Sequence, residues 1–196
     1  GKPMIMWVLD SLKLGPDDAL VIVYNPGWMS PKYWELTRAK YPQLKLVELP
    51  GPTRGAAETV AIGLKGLPKR LRSQPVMLVD GDCFYDEDIV SRYRSISAPA
   101  NGVFYFVDTQ PKPMYSYIVF DQTHKRISQV KEKVKISDHA NTGCYCFSDG
   151  NELLSQCQAL LDAGSTQLSQ DKVGEYYTSG VIAVMISEGA TFTALE

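Results

Sequence analysis

The amino-acid sequence predicts a three-layer α/β domain with a mostly parallel, mixed central sheet. Three observations predict it. Helical and strand-like periodicities alternate over the first 80 residues. The run "PVMLVD" (75–80) is apolar on both faces, as a central parallel strand is. From residue 102 onward, strand-like runs follow one another with only short polar links.

Each element has its local cause. "KPMIMWVLDSLKL" repeats apolar residues at helical spacing, with Pro3 tolerated in a first turn. "ALVIVYN" (19–25) is a β-rich run closed by Pro26-Gly27. "SPKYWELTRAKY" opens a second helix, with Ser30 as N-cap and Pro31 as first helical residue. "LKLVEL" (44–49) alternates like a strand, and "AAETVAIGLKGL" (56–67) resumes helical spacing. After the strand at 75–80, "DEDIVSRYR" reads as a helix whose cap and solvated first turn take Asp86, Glu87 and Asp88. "GVFYFVD", "YSYIVFD", "RISQVKEK" and "TGCYCFSD" then suit antiparallel pairing. Two helices follow, 150–164 ended by Gly164 and 174–189 ended by Gly189, and "ATFTALE" reads as a last strand.

A length of 196 residues suits one domain, 1–196. The net charge of −2 gives no electrostatic footprint for nucleic acid or an anionic membrane. No apolar run approaches the roughly 20 residues that span a bilayer. The four cysteines form no CxxC pair, which argues against a zinc knuckle, and Cys144 and Cys146 share one face as buried thiols. A reduced, cytoplasmic setting is expected. His124 and His139 lie in polar connecting segments, and neither is expected to be catalytic. The chain has no GxxxxGK[ST], HExxH or GxSxG motif.

Three stretches carry candidate chemistry. Asp80-Gly81-Asp82 ends the most apolar strand, where ligands of open α/β sheets bind. Two acids there suit a divalent cation, which takes one or two protein carboxylates plus phosphate oxygens. The alternative is that Asp82 or Asp86 caps the following helix. "PGPTRGAAETV" (50–60) is a strand–loop–helix connection whose backbone N–H groups suit an anionic or hydrogen-bonding ligand, with Arg54 within reach of a phosphate or simply exposed. In "VKEKVKISDHANTGCYCF", alternation puts Lys131 and Lys133 on one face and Glu132 on the other. Glu132 could accept from substrate hydroxyls and a lysine could pair with a phosphate, or the lysines could protect an edge strand. Asn141-Thr142-Gly143 reads as a turn that places an amide near a ligand.

In this order the three stretches resemble the nucleotidyltransferases that activate sugar phosphates and related phosphate monoesters. "GKPMIMWVLDSL" is similar to the segment after that family's signature loop. "TRGAAETV" resembles the stretch that holds the nucleobase, which implies that role for Thr53, Gly55 and Ala56. "VDGD" resembles the Gly-Asp whose aspartate binds Mg²⁺, implying Asp82 as catalytic metal ligand with Asp80 beside it, at the metal and the nucleotide. "VKEK" and "NTGCYCF" are similar to the acceptor-contacting segments, implying Glu132, Lys133, Asn141 and Gly143.

The resemblance implies a Rossmann-like fold of the nucleotide-diphospho-sugar transferase type and Mg²⁺ as cofactor. A nucleoside triphosphate and a phosphate monoester, a sugar 1-phosphate or phosphocholine-like, would be the substrates. The monoester would attack the α-phosphorus and release pyrophosphate. Its nucleophile is already an anion, so positioning and charge neutralisation would carry catalysis. Val134 stands where the family has proline, which puts the acceptor end in question. The family's Gly-rich loop should precede Gly1, and its late aspartate should follow the last strand. The polypeptide is therefore expected to lack both, to be catalytically silent alone, and to be fused to or assembled with further domains; its oligomeric state is left open. Two rivals stand beside this reading. One is a glycosyltransferase of the related fold, whose Asp-x-Asp hallmark Asp80-Gly81-Asp82 spells; the other is a non-catalytic domain kept for binding or assembly.

Overall fold

A strand apolar at consecutive positions buries side chains on both faces of its sheet. The computed structural model of the protein, which describes residues 1–27, 30–96, 100–168 and 174–196, contains several such strands. In β3 (Val76–Val79), Val76 and Leu78 join one apolar cluster, while Met77 and Val79 join another. Val103 and Tyr105 of β4 (Asn101–Val107) point to the first cluster and Phe104 to the second. In β7 (His139–Phe147), Tyr145 and Phe147 oppose Cys144 and Cys146 in the same way. Over the first cluster lie α3 (Ala56–Lys65), α6 (Gly150–Asp162) and α7 (Thr178–Ser187). Against the second lie α5 (Ile89–Ser95) and the segment after α1 (Met4–Ser11), through Leu12 and Leu14. The result is three layers.

The remaining elements are β1 (Leu20–Tyr24), α2 (Pro31–Lys40), β2 (Leu44–Glu48), α4 (Lys69–Arg72), β5 (Ser116–Phe120), β6 (Ile127–Glu132), β8 (Gln167–Leu168), β9 (Gly174–Glu175) and β10 (Phe192–Leu195). The main sheet has the order β10-β4-β7-β5-β6, with β3 alongside β7. β7 is its axis. β4 runs along one edge, and the other edge takes β5 at Ala140 and β3 from Cys144 to Phe147.

The α/β architecture and mixed sheet match the expectation, but the sheet is not mostly parallel. Among the described residues parallel pairing is confined to β1 with β2 and β10 with β4, while β3, β4 and β5 all run antiparallel to β7. The expectation of a parallel β3 is corrected for a simple reason. An apolar run on both faces reports two covering layers, not the direction of its neighbour, and the neighbour here comes from the antiparallel half of the chain. β1 and β2 form a parallel pair of their own under α3, so among the described residues β1 and β3 each have one edge without a strand partner.

Smaller corrections have local causes. α7 begins at Thr178 rather than 174, because Gly174-Glu175 pairs with Gln167-Leu168. His139 does not lie in a polar connection: it starts β7 with its ring against Phe120 (4.6 Å between centroids) and Tyr105 (5.1 Å). Ser30 occupies the N-cap position of α2 without a side-chain capping bond. α1 is tied to α2 through Asp10, which accepts from Lys40 and Tyr41 and pairs with Lys2 at 2.6 Å. These partners, Lys2 foremost, hold the Asp10 carboxyl well below the usual carboxylate range.

Candidate active site

β3 ends at Val79, and its ladder with β7 continues one bond further, from Asp80 N–H to the Gly143 carbonyl at 2.9 Å. The next step is set by glycine. Gly143 adopts φ 85°, and the register of β7 against β4 slips between Val103 and Tyr105, so Asn141-Thr142-Gly143 forms a bulge inside a continuous strand. The expected turn before the strand is thereby corrected. The bulge leaves room for the Asp80 carboxylate: a Cβ on residue 143 would lie 2.6 Å from its Oδ2.

Asn141, 4 % exposed, donates through Nδ2 to Ser116 Oγ, and its Oδ1 is buried without a hydrogen-bond partner. Ser116 lies opposite Glu132 in the β5–β6 register. The Asp80 carboxyl is open to solvent on one side, yet the packing around it raises its pKa to about 6, with the charges of Asp82 and then Glu132 adding to the shift. Burial also pushes Glu132 upward, opposed by a hydrogen bond from Ser179 and the charge of Lys133. Asp80 thus feels the charges of Asp82 and Glu132, and Asn141 bonds to Ser116, which lies opposite Glu132, an arrangement that gathers anions and acceptors.

Lys133 is not on the face opposite Glu132. Strand alternation stops at Glu132, and Lys133 takes φ 51°, a left-handed conformation uncommon outside glycine. Its N–H donates to the Tyr115 carbonyl at 2.9 Å and its Nζ to Tyr177 Oη at 2.9 Å, while Ser179 Oγ donates to Glu132 Oε2 at 2.7 Å. Both charges therefore reach the head of α7. Lys131 remains exposed on β6, an edge strand, where the protective reading holds for it.

Asp82 is exposed, and its carboxylate accepts a thiol contact from Cys83 at 3.6 Å. The capping alternative for Asp82 and Asp86 is corrected: Asp88 caps α5, accepting from Ser91 N–H at 3.0 Å and Ser91 Oγ at 2.8 Å. In the 50–60 loop, Thr53 Oγ1 and Thr59 Oγ1 are 2.7 Å apart, and Gly55 at φ 141° precedes Ala56, the first residue of α3. Tyr176 N–H donates to the Arg54 carbonyl (3.1 Å), and Ala57 N–H donates to the Tyr176 carbonyl (2.8 Å). Arg54 is committed to Glu58, with Nη2 2.7 Å from Oε1, and lies over the Tyr176 ring. Among the described residues no hydrogen bond joins Thr53, Gly55 or Ala56 to Asp80 or Asp82. Tyr176–Ser179 instead links the 50–60 loop to Glu132 and Lys133. Tyr177 and Ser179 were not legible as site residues, because the helical reading placed them inside an apolar helix rather than at its head.

The nucleotidyl transferase family profile matches residues 1–180. The chain belongs to the nucleotidyl transferase family. The fold of this nucleotidyl transferase is similar to the nucleoside-diphosphate-sugar pyrophosphorylase from Vibrio cholerae RC9, at 19 % identity and a TM-score of 0.75, covering 100 % of this chain and 80 % of the other. It is also similar to the inositol-1-phosphate CTP transferase from T. maritima, at 13 % identity and a TM-score of 0.63, covering 89 % of this chain and 64 % of the other. At these identities the likeness is one of fold. A search of curated protein sequences finds no match. Among the described residues no helix is long and apolar enough to cross a membrane.

Among the described residues of the nucleotidyl transferase, no three His, Cys, Asp or Glu side chains are grouped to hold a metal ion. Two carboxylates beside an open face nevertheless fit a Mg²⁺ whose remaining ligands are phosphate oxygens and water. A carboxylate crowded by other anions is also what a bound cation would relieve. Burial of Asp80, reinforced by those charges, has a measurable sign. Asp80 has a folded pKa of about 6, above its unfolded value, so its charged form is disfavoured in the fold. That penalty is fully present above pH 6, shrinks as pH falls through about 6, and is absent below roughly pH 4. Asp80→Asn is expected to raise the Tm of the metal-free chain by about 2 °C near pH 7.5 and not at all near pH 4, the size reduced by solvent screening. Thermal melts at the two pH values check this, and an equal shift at both refutes it.

Proposed function

We propose that this nucleotidyl transferase moves a nucleoside monophosphate from a nucleoside triphosphate to a phosphate monoester, releasing pyrophosphate. The observation that carries the reading is the Asp80 carboxylate seated in the Gly143 bulge, within the field of Asp82 and Glu132, with the unsatisfied Asn141 carbonyl on the same strand as the bulge. Asp80 and Asp82 would hold Mg²⁺, which when bound would neutralise phosphate charge and stabilise the transition state. Thr53, Gly55 and Ala56 offer the nucleobase a backbone surface at the start of α3. A phosphate oxygen of the monoester attacks the α-phosphorus, and the bond to the pyrophosphate oxygen breaks. That oxygen is already an anion, so none of this chain's side chains need serve as a strong general base.

Lys133, whose charge is favoured by its bond to Tyr177, suits the acceptor phosphate. Glu132 and Asn141 Oδ1 can only accept when they face a ligand, so each calls for a donor. A hydroxyl-bearing sugar or polyol phosphate supplies such donors and a trimethylammonium group does not, which favours the former over a phosphocholine-like acceptor.

Calorimetric titration of the four common nucleoside triphosphates with and without Mg²⁺ tests the reading. One triphosphate is expected to bind in a Mg²⁺-dependent way, and Asp82→Ala is expected to weaken it at least about tenfold. Asp82 is exposed, so the variant should fold. Equal affinity in parent and variant would remove the metal site and favour a binding or assembly domain.

A further inference from the structure

We propose that Tyr177 and Ser179, at the head of α7, are positioning residues that hold Lys133 and Glu132 in place for the acceptor substrate; the proposal rests on the acceptor reading above. Adjacent opposite charges at a strand end would ordinarily be free to pair with each other or with solvent. Here each is held by a neutral hydroxyl: Lys133 Nζ donates to Tyr177 Oη at 2.9 Å, and Ser179 Oγ donates to Glu132 Oε2 at 2.7 Å. A hydroxyl fixes direction without cancelling charge. Lys133 spends one of three ammonium protons on Tyr177, and Glu132 keeps a second oxygen, so both retain capacity for a substrate.

The holders are themselves fixed. Ser179 is 1 % exposed and Thr178 is 7 % exposed, so the first turn of α7 is set in the core. Just before it, the Tyr176 backbone donates to the Arg54 carbonyl and accepts from Ala57 N–H, across the loop that carries Gly55. One four-residue segment therefore grips the nucleotide loop by its main chain and the acceptor pair by its side chains. Lys133 reaches Tyr177 only by adopting φ 51°, so a strained backbone conformation is maintained where the two charges must face the same way. The distance between nucleotide loop and acceptor pair is thus set by residues that need touch neither substrate.

The test uses the 196-residue chain with saturating Mg²⁺ and its preferred nucleoside triphosphate. Calorimetry with a panel of hexose 1-phosphates, inositol 1-phosphate and phosphocholine identifies the monoester that the parent binds. Tyr177→Phe and Ser179→Ala are each expected to weaken that monoester about tenfold, while triphosphate affinity is unchanged. A merely structural role would lower both affinities together or neither, and either result overturns the proposal. If Ser179→Ala does not fold, Tyr177→Phe decides alone, because its hydroxyl contributes one bond at a partly exposed position. If the parent binds no monoester, the acceptor reading itself fails and takes the proposal with it. If the parent binds one and both variants bind it equally well, the acceptor reading survives and only the positioning role falls.

Discussion

Gly55→Ala is expected to destabilise the chain by about 4 kcal/mol, combining backbone strain with the loss of two hydrogen bonds. At φ 141° a side chain is strained whatever the surrounding space. The space is also taken: a Cβ would lie 2.6 Å from the Tyr176 carbonyl oxygen and 2.7 Å from its nitrogen. Both atoms belong to the backbone and both are bonded across the loop, so neither can retreat without breaking the Arg54–Tyr176 or Ala57–Tyr176 bond. For a domain of this size the Tm should fall by roughly 10 °C. Any folded variant should bind the triphosphate poorly, since the start of α3 loses its anchor. A fall in Tm below about 2 °C would show that the loop can relax independently of Tyr176.

Gly143→Ala is expected to cost about 3 kcal/mol and to abolish Mg²⁺-dependent nucleotide binding. φ 85° strains the alanine, and its Cβ would meet Asp80 Oδ2 at 2.6 Å, Cγ at 2.9 Å and Cβ at 3.0 Å. The strain belongs to the backbone and the clash to Asp80, so the two can be separated. Placing Gly143→Ala in an Asp80→Ala background removes the carboxylate but not the positive φ. The double-mutant cycle should show the glycine substitution costing at least about 1 kcal/mol less there. A cost that is the same in both backgrounds, measured by urea denaturation, would mean that Asp80 does not occupy the bulge.

Burial patterns were the legible part of this fold. Asp80 and Asp82 stand out because an apolar four-residue strand ends on them, and the pairing of Cys144 and Cys146 on one face follows from alternation alone. Alternation fails where the backbone leaves the β region. Lys133 is placed on the wrong face by a period of two, because nothing in "VKEKV" announces a left-handed lysine. "NTG" resembles a turn because its residues are those of turns, yet cross-strand bonds on both edges hold it inside β7 as a bulge. The head of α7 was hidden for a different reason. Gly174–Ser187 is compatible with helix throughout, and only the short pairing of β8 with β9 moves the start to Thr178 and brings Tyr177 and Ser179 to the site. Charged and polar residues were legible as candidates; which of them meet was decided by the Lys133 and Gly143 torsions and by the β8–β9 pairing.

The divided sheet has a consequence for how this protein behaves when concentrated. Among the described residues β3, uncharged at all four positions, pairs along one edge only, and β1 likewise has a strand partner on one side only. β6 carries Lys131 at its own margin, whereas the free edge of β3 has no comparable guard. An apolar edge that no strand pairs is a template for any extended chain of suitable shape. Crowded solutions of this 196-residue chain should therefore favour association through the main chain of β3, with little dependence on salt.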